Sequence, residues 1–515
     1  MKYSTYSLLL FMCLGLLSCN KLIDIYPDSN LNTATYYTTV EEVQTGLTGC
    51  YNGLQKTVNS EWQFTEQRSD NSKQGVAGST SSVNRDLSDL DMFLPATTHQ
   101  AVYTYWLATY NNIRNANIVL QRLGVTYDPA VGSINLNKIA IPLSDSIRKQ
   151  LAGEALFIRS YHYFNLVRLY GGVFLIHTPV TAAEAKQINR SSVADIYKLI
   201  VADLTTATTY LGTLKFAQIP AANQGKATSW AAKALLAKVN LTLNIKAEAI
   251  TLLQDVISNS GYSLQASYAN VFSTTTELNS EILFTIRFKA GGLGLGSSFG
   301  NDFAPLGSGS SVINGSGQGL NYPTADLDTA LVAADPRKAV NIGVFGTGTA
   351  AKLYVKKFLT PVTLTGDGES DFPILRYADV LLMMAEAKGF TPESITLINQ
   401  VRTRATLAAL PATVNTVALF EKALSDERRF EFAFENQRWF DMVRFNTTMT
   451  TLTAEQILKD HFAKEFAKHY ATYPAPIVTL AQLQANVTAN KLLLPIPQHE
   501  IDTNTGLKIE QNAGY

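Results

Sequence analysis

The chain has 515 residues, 46% of them hydrophobic, and its 42 lysines and arginines equal its 42 aspartates and glutamates. That length and apolar share support one large domain or two fused ones. The charge balance excludes the basic excess of a nucleic-acid binder and argues against electrostatic adhesion to anionic lipid.

The predicted elements begin with a leader. Lys2 supplies a short positive region, and Leu8 to Leu17 is apolar except for Gly15, a run too short to span a bilayer. Leu16-Leu17-Ser18-Cys19 resembles a bacterial lipobox. Residues 1–18 then read as a lipoprotein signal peptide, and Cys19 as the lipidated first residue of the mature chain. Several acyl chains on one cysteine make a stable anchor, at about 0.8 kcal/mol per buried methylene. No other segment offers eighteen consecutive apolar residues. Once Cys13 leaves with the leader, only Cys50 remains beside Cys19, so no intramolecular disulfide and no cysteine-based zinc site can form. Cys50 shares a helical stripe with Val43, Leu47 and Leu54 and reads as a buried, inert thiol.

Residues 20 to 33 read as an extended tether, and helical patterns follow. They run through Trp106, Tyr110, Ile113 and Leu120, then Leu151 to Tyr170, Ser192 to Leu211, Thr228 to Leu243 and Ala247 to Ile257. Gly171-Gly172 is the expected terminator of the second of these. Helix pairs with short connections, roughly 30 to 40 residues each, suggest tetratricopeptide-like stacking. From 260 to 375 the character changes. Glu281 to Phe288 is a strand candidate, and Gly291 to Leu320 holds ten glycines. That run reads as a long surface excursion without a core of its own. Helices resume with a hairpin, Tyr377 to Lys388 and Glu393 to Thr406, and one long helix from about Ala418 to Phe445. Along it, Glu435 with Arg438 and Arg438 with Asp441 are i,i+3 pairs, and its charges suit a helix stitched by ion pairs to its neighbours. Trp106, Trp230 and Trp439 sit in helical registers and are assigned to the core. Beyond 446 a helix near 454 to 468 precedes a short apolar strand, Leu492 to Ile501, and a C-terminal clasp, Gly506 to Tyr515.

Catalytic and metal signatures are weak. Gly292-Leu293-Gly294-Leu295-Gly296 follows a strand, but no amphipathic helix follows to cradle phosphate, and no Gly-x4-Gly-Lys-Ser/Thr is present. The six histidines form no pair with metal-ligand spacing, and His461 and His469 are assigned to a solvated helix face. No Gly-x-Ser-x-Gly elbow occurs. No catalytic residue, metal ligand or cofactor is assigned.

Several segments, in order, carry a family resemblance. They are Arg168-Leu169-Tyr170-Gly171-Gly172-Val173, Gly225 to Thr228 leading into Ala231 to Lys238, Arg376 to Leu382 with Ala385 to Ala387, and Ile398-Asn399 with Val401-Arg402. Glu427 to Glu435, Gln437 to Asp441, and Leu494-Pro495-Ile496-Pro497 with Glu500-Ile501 complete the set. Together with the lipobox, the chain resembles the SusD/RagB family of nutrient-binding outer-membrane lipoproteins. The resemblance implies a mostly α fold with tetratricopeptide-like helix-turn-helix pairs, long irregular loops and a few short strands. It implies a single domain over 19–515. Within it the helical scaffold spans about 34–260 and 376–446, a loop-rich ligand-face insertion spans 261–375, and an irregular region spans 447–515. It further implies a non-enzymatic protein, lipid-anchored in the outer membrane and facing outward. Such a protein captures oligosaccharide and delivers it to a SusC-like TonB-dependent transporter. A peptide-binding or scaffold lipoprotein, or a glycoside hydrolase, are the alternatives.

Sugar capture needs an aromatic ring for the C–H face of a pyranose and polar partners for its hydroxyls. Aromatics expected in loops are therefore the ligand candidates. Trp62 and Phe64 stand next to Asp70 and Asn71, and Phe299, Asn301, Asp302, Phe303 and Tyr322 lie in or beside the Gly-rich run.

Overall fold

A computed structural model describes residues 37–76, 81–473 and 477–515. The leader, Cys19 and the tether lie outside the described residues. Six long helices open the fold: α1 (Val40–Thr65), α2 (Gln100–Arg122), α3 (Asp145–Tyr170), α4 (Val193–Tyr210), α5 (Ser229–Thr242) and α6 (Lys246–Asn259). Each packs on the next. Their ends are set locally. Thr39 and Glu42 close a capping box at the start of α1, and the Ser144 hydroxyl accepts the Ile147 N–H at the start of α3. α3 stops at Gly171, whose φ of 72° suits a residue without a Cβ.

The chain then leaves the stack and returns. β1 (Ile282–Ile286) and β2 (Phe372–Arg376) pair antiparallel, so the outgoing and returning segments lie side by side. α7 (Tyr377–Lys388) starts at the end of β2, packs on α6 and extends the stack, and α8 (Pro392–Arg404) packs on α7. The remaining strands form three further two-stranded ribbons, so among the described residues there is no larger sheet.

Four expectations need correction. The helix expected from Ala418 to Phe445 is two helices, α9 (Val417–Glu431) and α10 (Arg438–Thr448). Phe434 and Asn436 adopt positive φ between them, 66° and 58°, and turn the chain. The i,i+3 pairs are absent accordingly: Glu435 binds Lys357 and Arg376, Arg438 binds Asp70, and Asp441 binds Arg428 and Arg444. The Gly-rich run does contribute to a core, because Phe299 and Phe303 join the main hydrophobic cluster. The segment from Leu492 to Ile501 is no strand: a 3-10 turn (Ala489–Leu492) and a helix (Gln498–Thr503) flank an extended Leu493–Pro497. His461 and His469 are buried beside Tyr470 and Tyr473, not solvated.

Other expectations hold. Trp106, Trp230 and Trp439 are interior, and Cys50 is buried with its thiol pushed up to about 12 by burial. The C-terminal residues do clasp the scaffold. Asn512 Nδ2 donates to the carbonyls of Tyr170 and Leu494, Arg190 donates to the Glu510 carbonyl, and the Tyr515 hydroxyl donates to the Leu493 carbonyl. α11 (Ala454–Glu465) accounts for the helix expected near 454.

A buried ion lattice joins the inserted segment to the returning helices. Arg376 donates to the carboxylates of Glu281, Glu431 and Glu435 at 2.5 to 3.0 Å, all three side chains being interior. Arg404 shares Glu281 and Glu431, and Arg337 binds Asp335, Glu427 and Glu431. Buried charges persist only when paired and hydrogen-bonded, which this lattice provides.

Candidate functional site

The residues singled out for ligand contact do converge, but as packed foundations. Trp62 lies in the last turns of α1, 2% exposed, with its indole N–H donating to the Asn59 carbonyl at 3.0 Å. Phe303 meets it edge-on at a centroid distance of 5.3 Å. Phe299 follows at 5.5 Å and continues into Phe372 at 5.1 Å. Phe64, also in α1, packs edge-on against Tyr105. The expectation that Trp62 and Phe64 occupy a loop is therefore corrected. Their helical spacing is hidden in sequence by the polar residues around them, and none of these four rings keeps an open stacking face.

The polar candidates are structural in the same sense. The Asp70 carboxylate accepts from Arg438 at 2.7 and 2.8 Å and pairs with Arg429. Burial alone would raise this carboxyl. The adjacent Arg429 and Arg438 guanidiniums outweigh burial and hold it well below the usual carboxylate range. Asn71 Oδ1 accepts from Arg429, which ties the end of the α1 region to α9. Asn301 is the internal brace of the Gly-rich loop. Its Nδ2 donates to the Asn314 and Ser316 carbonyls, and its Oδ1 accepts the Gly366 N–H at 2.8 Å. Asp302 accepts from the Ser298 hydroxyl at 2.6 Å, and burial pushes its carboxyl up to about 6. The Tyr322 hydroxyl accepts the Leu306 N–H, and its ring lies so close to Gly75 that a Cβ there would meet it at 1.8 Å.

These contacts build a face rather than a pocket. Gln55 and Gln67 of the α1 region donate to the carbonyls of Arg287 and Leu320, which lays the loop along the helix. Carboxylates clip the loop from the other side. Asp367 accepts the N–H groups of Gly291 and Gly292 at 2.8 Å, Glu369 accepts Ala290, and Asp371 accepts Phe288. The acids of this region are thus occupied by backbone and are not arranged as an open acid–base pair. What the face presents to solvent is Ser310, Asn314, Ser316 and Gln318, with Leu306 at its edge. Among the described residues no three His, Cys, Asp or Glu side chains converge to hold a metal, and no helix is long and apolar enough to cross a membrane.

Comparison with known proteins identifies this architecture. The sequence model of the SusD family matches residues 336–515, and a second, described as "Starch-binding associating with outer membrane", matches residues 21–241. The chain belongs to the SusD/RagB family. SusD-like protein P2 of Formosa agariphila is 25% identical, over 98% of this chain and 98% of that relative. The structure titled "Laminarin binding SusD-like protein" superposes with a TM-score of 0.73 at 24% identity, covering 93% of this chain and all of that one. Surface glycan-binding protein A from Bacteroides fluxus does so with a TM-score of 0.75 at 20% identity, again covering 93% of this chain and 100% of the other. SusD/RagB proteins are binding proteins and not enzymes, and the family description associates them with the outer membrane. The mostly α, stacked-pair architecture is shared with these SusD-like structures.

Several rings that do keep surface were missed. Tyr103 and Tyr110 of α2 remain half-buried, as does Tyr197 of α4. Tyr110 falls in the apolar stripe of its helix, and the spacing alone gives no sign that it lies at the stripe's edge.

Proposed function

We propose that the chain is a lipid-anchored, outward-facing SusD-like protein that binds oligosaccharide and passes it to a SusC-like TonB-dependent transporter. The observation that carries this reading is the pair of SusD-family matches at the two ends of one continuous scaffold. The lipobox at Cys19 supports the anchor. The braced, amide- and hydroxyl-rich loop face supports a ligand of many hydroxyls, since such groups pair with both donors and acceptors. The titles of the two structures named above, one a laminarin binder and one a surface glycan-binding protein, point to a neutral glucan as first probe.

The test is calorimetric titration of the mature chain with laminarihexaose, maltohexaose, a uronic-acid oligomer and a peptide mixture. Binding of a glycan with no response to peptides is expected; saturable binding of peptide alone overturns the reading. For the anchor, Cys19→Ala is expected to release the protein from membranes and to lose fatty-acid label. Label retained on that variant removes the lipid claim.

A further inference from the structure

A cleft of about 600 Å3 runs along α4, between the hairpin of residues 125–136 and the end of α5, and no residue of the loop face lines it. Ile134, Val201 and Leu243 each keep part of their surface and give it an apolar wall. Its hydroxyls are unpaired. Those of Tyr197, Thr205 and Thr206 make no hydrogen bond among the described residues, whereas Thr208 and Thr209 of the same helix donate theirs to helix carbonyls. Thr205 is exposed, and neither the Tyr197 nor the Thr206 hydroxyl is sealed from solvent. The charge along the cleft is positive. Lys198 lines it with no ion-pair partner among the described residues, and no aspartate or glutamate lines it. Lys198 Nζ donates to the Pro129 and Ala130 carbonyls at 2.8 and 3.0 Å, which straps the hairpin turn over α4 and leaves a further N–H free. A second cation stands behind Tyr197. Tyr197 meets Phe164 edge-on at 6.3 Å, and the Arg168 guanidinium lies 3.7 Å from the Phe164 ring and 3.5 Å from the Phe440 ring. Its Nε donates to the Phe164 carbonyl and its Nη2 to Asn165, and among the described residues Nη1 donates to nothing. Neighbouring arginines do have carboxylates: Arg159 pairs with Asp203, and Arg444 with Glu386 and Asp441. Glu61 is linked to Arg168 through Asn165 and not by an ion pair. Burial lowers Arg168 to about 10, which leaves it charged at neutral pH.

We infer that this cleft binds the acidic residue of an anionic oligosaccharide, whose carboxylate or sulfate oxygens accept from the Lys198 ammonium and the Tyr197 hydroxyl. This rests on the glycan-binding reading above and gives a ligand class to a cleft away from the loop face. A wall that holds a cation and no acid favours a negative group, and hydrogen bonds between charged partners are the stronger kind. Arg168 adds attraction from behind Phe164, where little water screens it. Thr205 and Thr206 pair with sugar hydroxyls, which both donate and accept. The apolar wall covers the C–H face of the ring. A neutral sugar would leave both cations uncompensated, and an acidic peptide would leave the threonine hydroxyls with fewer partners. The volume lies well inside the range of small-molecule sites, about 300–1,000 Å3.

The experiment titrates the mature chain by calorimetry with trigalacturonic acid and a sulfated galactose disaccharide, each beside its neutral counterpart, the methyl ester and the unsulfated disaccharide. Laminarihexaose and tetraglutamate complete the set. At least one acidic sugar is expected to bind, about tenfold or more tightly than its neutral counterpart and less tightly as salt rises. Whichever acidic sugar binds names the group, uronate or sulfate. Ala194 is exposed and lines the cleft, so Ala194→Trp fills it from the surface. Ala194→Trp and Lys198→Gln are each expected to weaken the acidic sugar about tenfold, and Tyr197→Phe about three- to tenfold. Melting curves check that each variant folds. Tyr197→Phe deletes a hydroxyl without a protein partner, so it decides if Lys198→Gln loosens the hairpin. Binding of the acidic sugar should persist in Gln318→Trp, which crowds the loop face. Acidic-sugar binding unchanged in Ala194→Trp overturns the cleft, and a neutral counterpart bound as tightly as its acid overturns the role of charge. Tetraglutamate bound as tightly as the acidic sugar overturns the sugar class. Laminarihexaose bound while both acidic sugars fail overturns the inference and leaves the glycan reading intact. A native chain that binds no glycan overturns both.

Discussion

Helices α5 and α9 are both deeply buried, by opposite chemistry. α5 turns Ala231, Ala232, Ala234 and Ala237 into its neighbours, and these small side chains let helices approach closely. α9 buries Glu427, Arg428, Arg429 and Glu431, and each finds ionic or hydrogen-bonded partners on other elements. Truncating an apolar side chain in the first region costs its own buried area and a cavity. Removing an ionic partner in the second leaves other charges buried and unpaired, so the damage spreads. The stack is therefore expected to yield gradually under substitution and the lattice abruptly.

The largest break in that comparison is Arg376→Ala. It takes one cation from three buried carboxylates, leaving Glu281 to Arg404, Glu431 to Arg404 and Arg337, and Glu435 to Lys357, and removal of one partner from a single buried pair already costs about 3–5 kcal/mol. Loss of cooperative unfolding or of soluble expression is expected; a mild shift in the denaturation midpoint would show that water reaches the lattice. Next come Trp439→Ala in α10 and Trp62→Ala in α1, each expected to cost about 3–5 kcal/mol as truncations of buried aromatics. Calorimetric melting measures both. Trp62→Ala should also loosen the Gly-rich loop, because Phe303 rests on its ring, and faster hydrogen exchange across 299–320 would report it. An unchanged melting curve for Trp62→Ala would contradict its burial.

The Trp62 expectation shows where the sequence was legible and where it was not. Apolar spacing located α4, α6 and α8 closely, because each has a buried apolar stripe and an exposed polar remainder, while α3, α5 and α7, buried nearly all round, were legible from their apolar content and their terminators. The loop assignment of Trp62 failed because Glu61, Thr65, Glu66 and Arg68 around it are buried as well, and a buried polar residue looks like surface in a one-dimensional pattern. The same ambiguity merged α9 with α10, since lattice charges mimic an exposed ion-paired face. Asn436 was the one local signal of a turn, being a residue that tolerates positive φ. The cleft beside Tyr197 is assembled from residues near 133, 198 and 243, and no local pattern joins them.

Proton concentration separates the two regions next. Asp379 and Glu431 in the lattice are both buried, which alone would raise them. Lys238 and Arg428 around Asp379, and Arg404, Arg376 and Arg337 around Glu431, hold them below the usual carboxylate range. Depressed folded values mean that their stabilisation is complete above about pH 4 and is lost as pH falls below it. Glu61 in α1 behaves oppositely. Burial raises its carboxyl to about 7, despite hydrogen bonds from Tyr105 and Asn165. Its protonated form favours the folded state, so stability falls as pH rises from about 4.5 to about 7. Urea titrations at pH 3, 5 and 7 should therefore show Glu61→Gln reducing the slope between 5 and 7, the rest of which falls to Glu66, Asp91 and Asp371, likewise raised by burial, while leaving the acid limb below 4 in place. A variant whose slope between 5 and 7 matches the native chain would remove Glu61 from this role. The smallest effect is expected from Gln55→Ala. It removes the side-chain bonds from α1 to the Arg287 and Leu295 carbonyls of the loop, each worth about 0.5–1.5 kcal/mol, and should raise hydrogen exchange near Arg287 and Leu295 with little movement of the global midpoint.

The clasp has a consequence for the order of events in the life of the chain. The last carbonyl of α3, at Tyr170, is one of the groups that a helix end leaves unsatisfied, and its partner is Asn512, 342 positions later. A chain emerging from its N-terminus makes α3 early and cannot finish it until residue 512 has been made. Contacts of such long sequence separation form late and slowly. Chains that stop short of residue 512 leave the Tyr170 and Leu494 carbonyls without this partner.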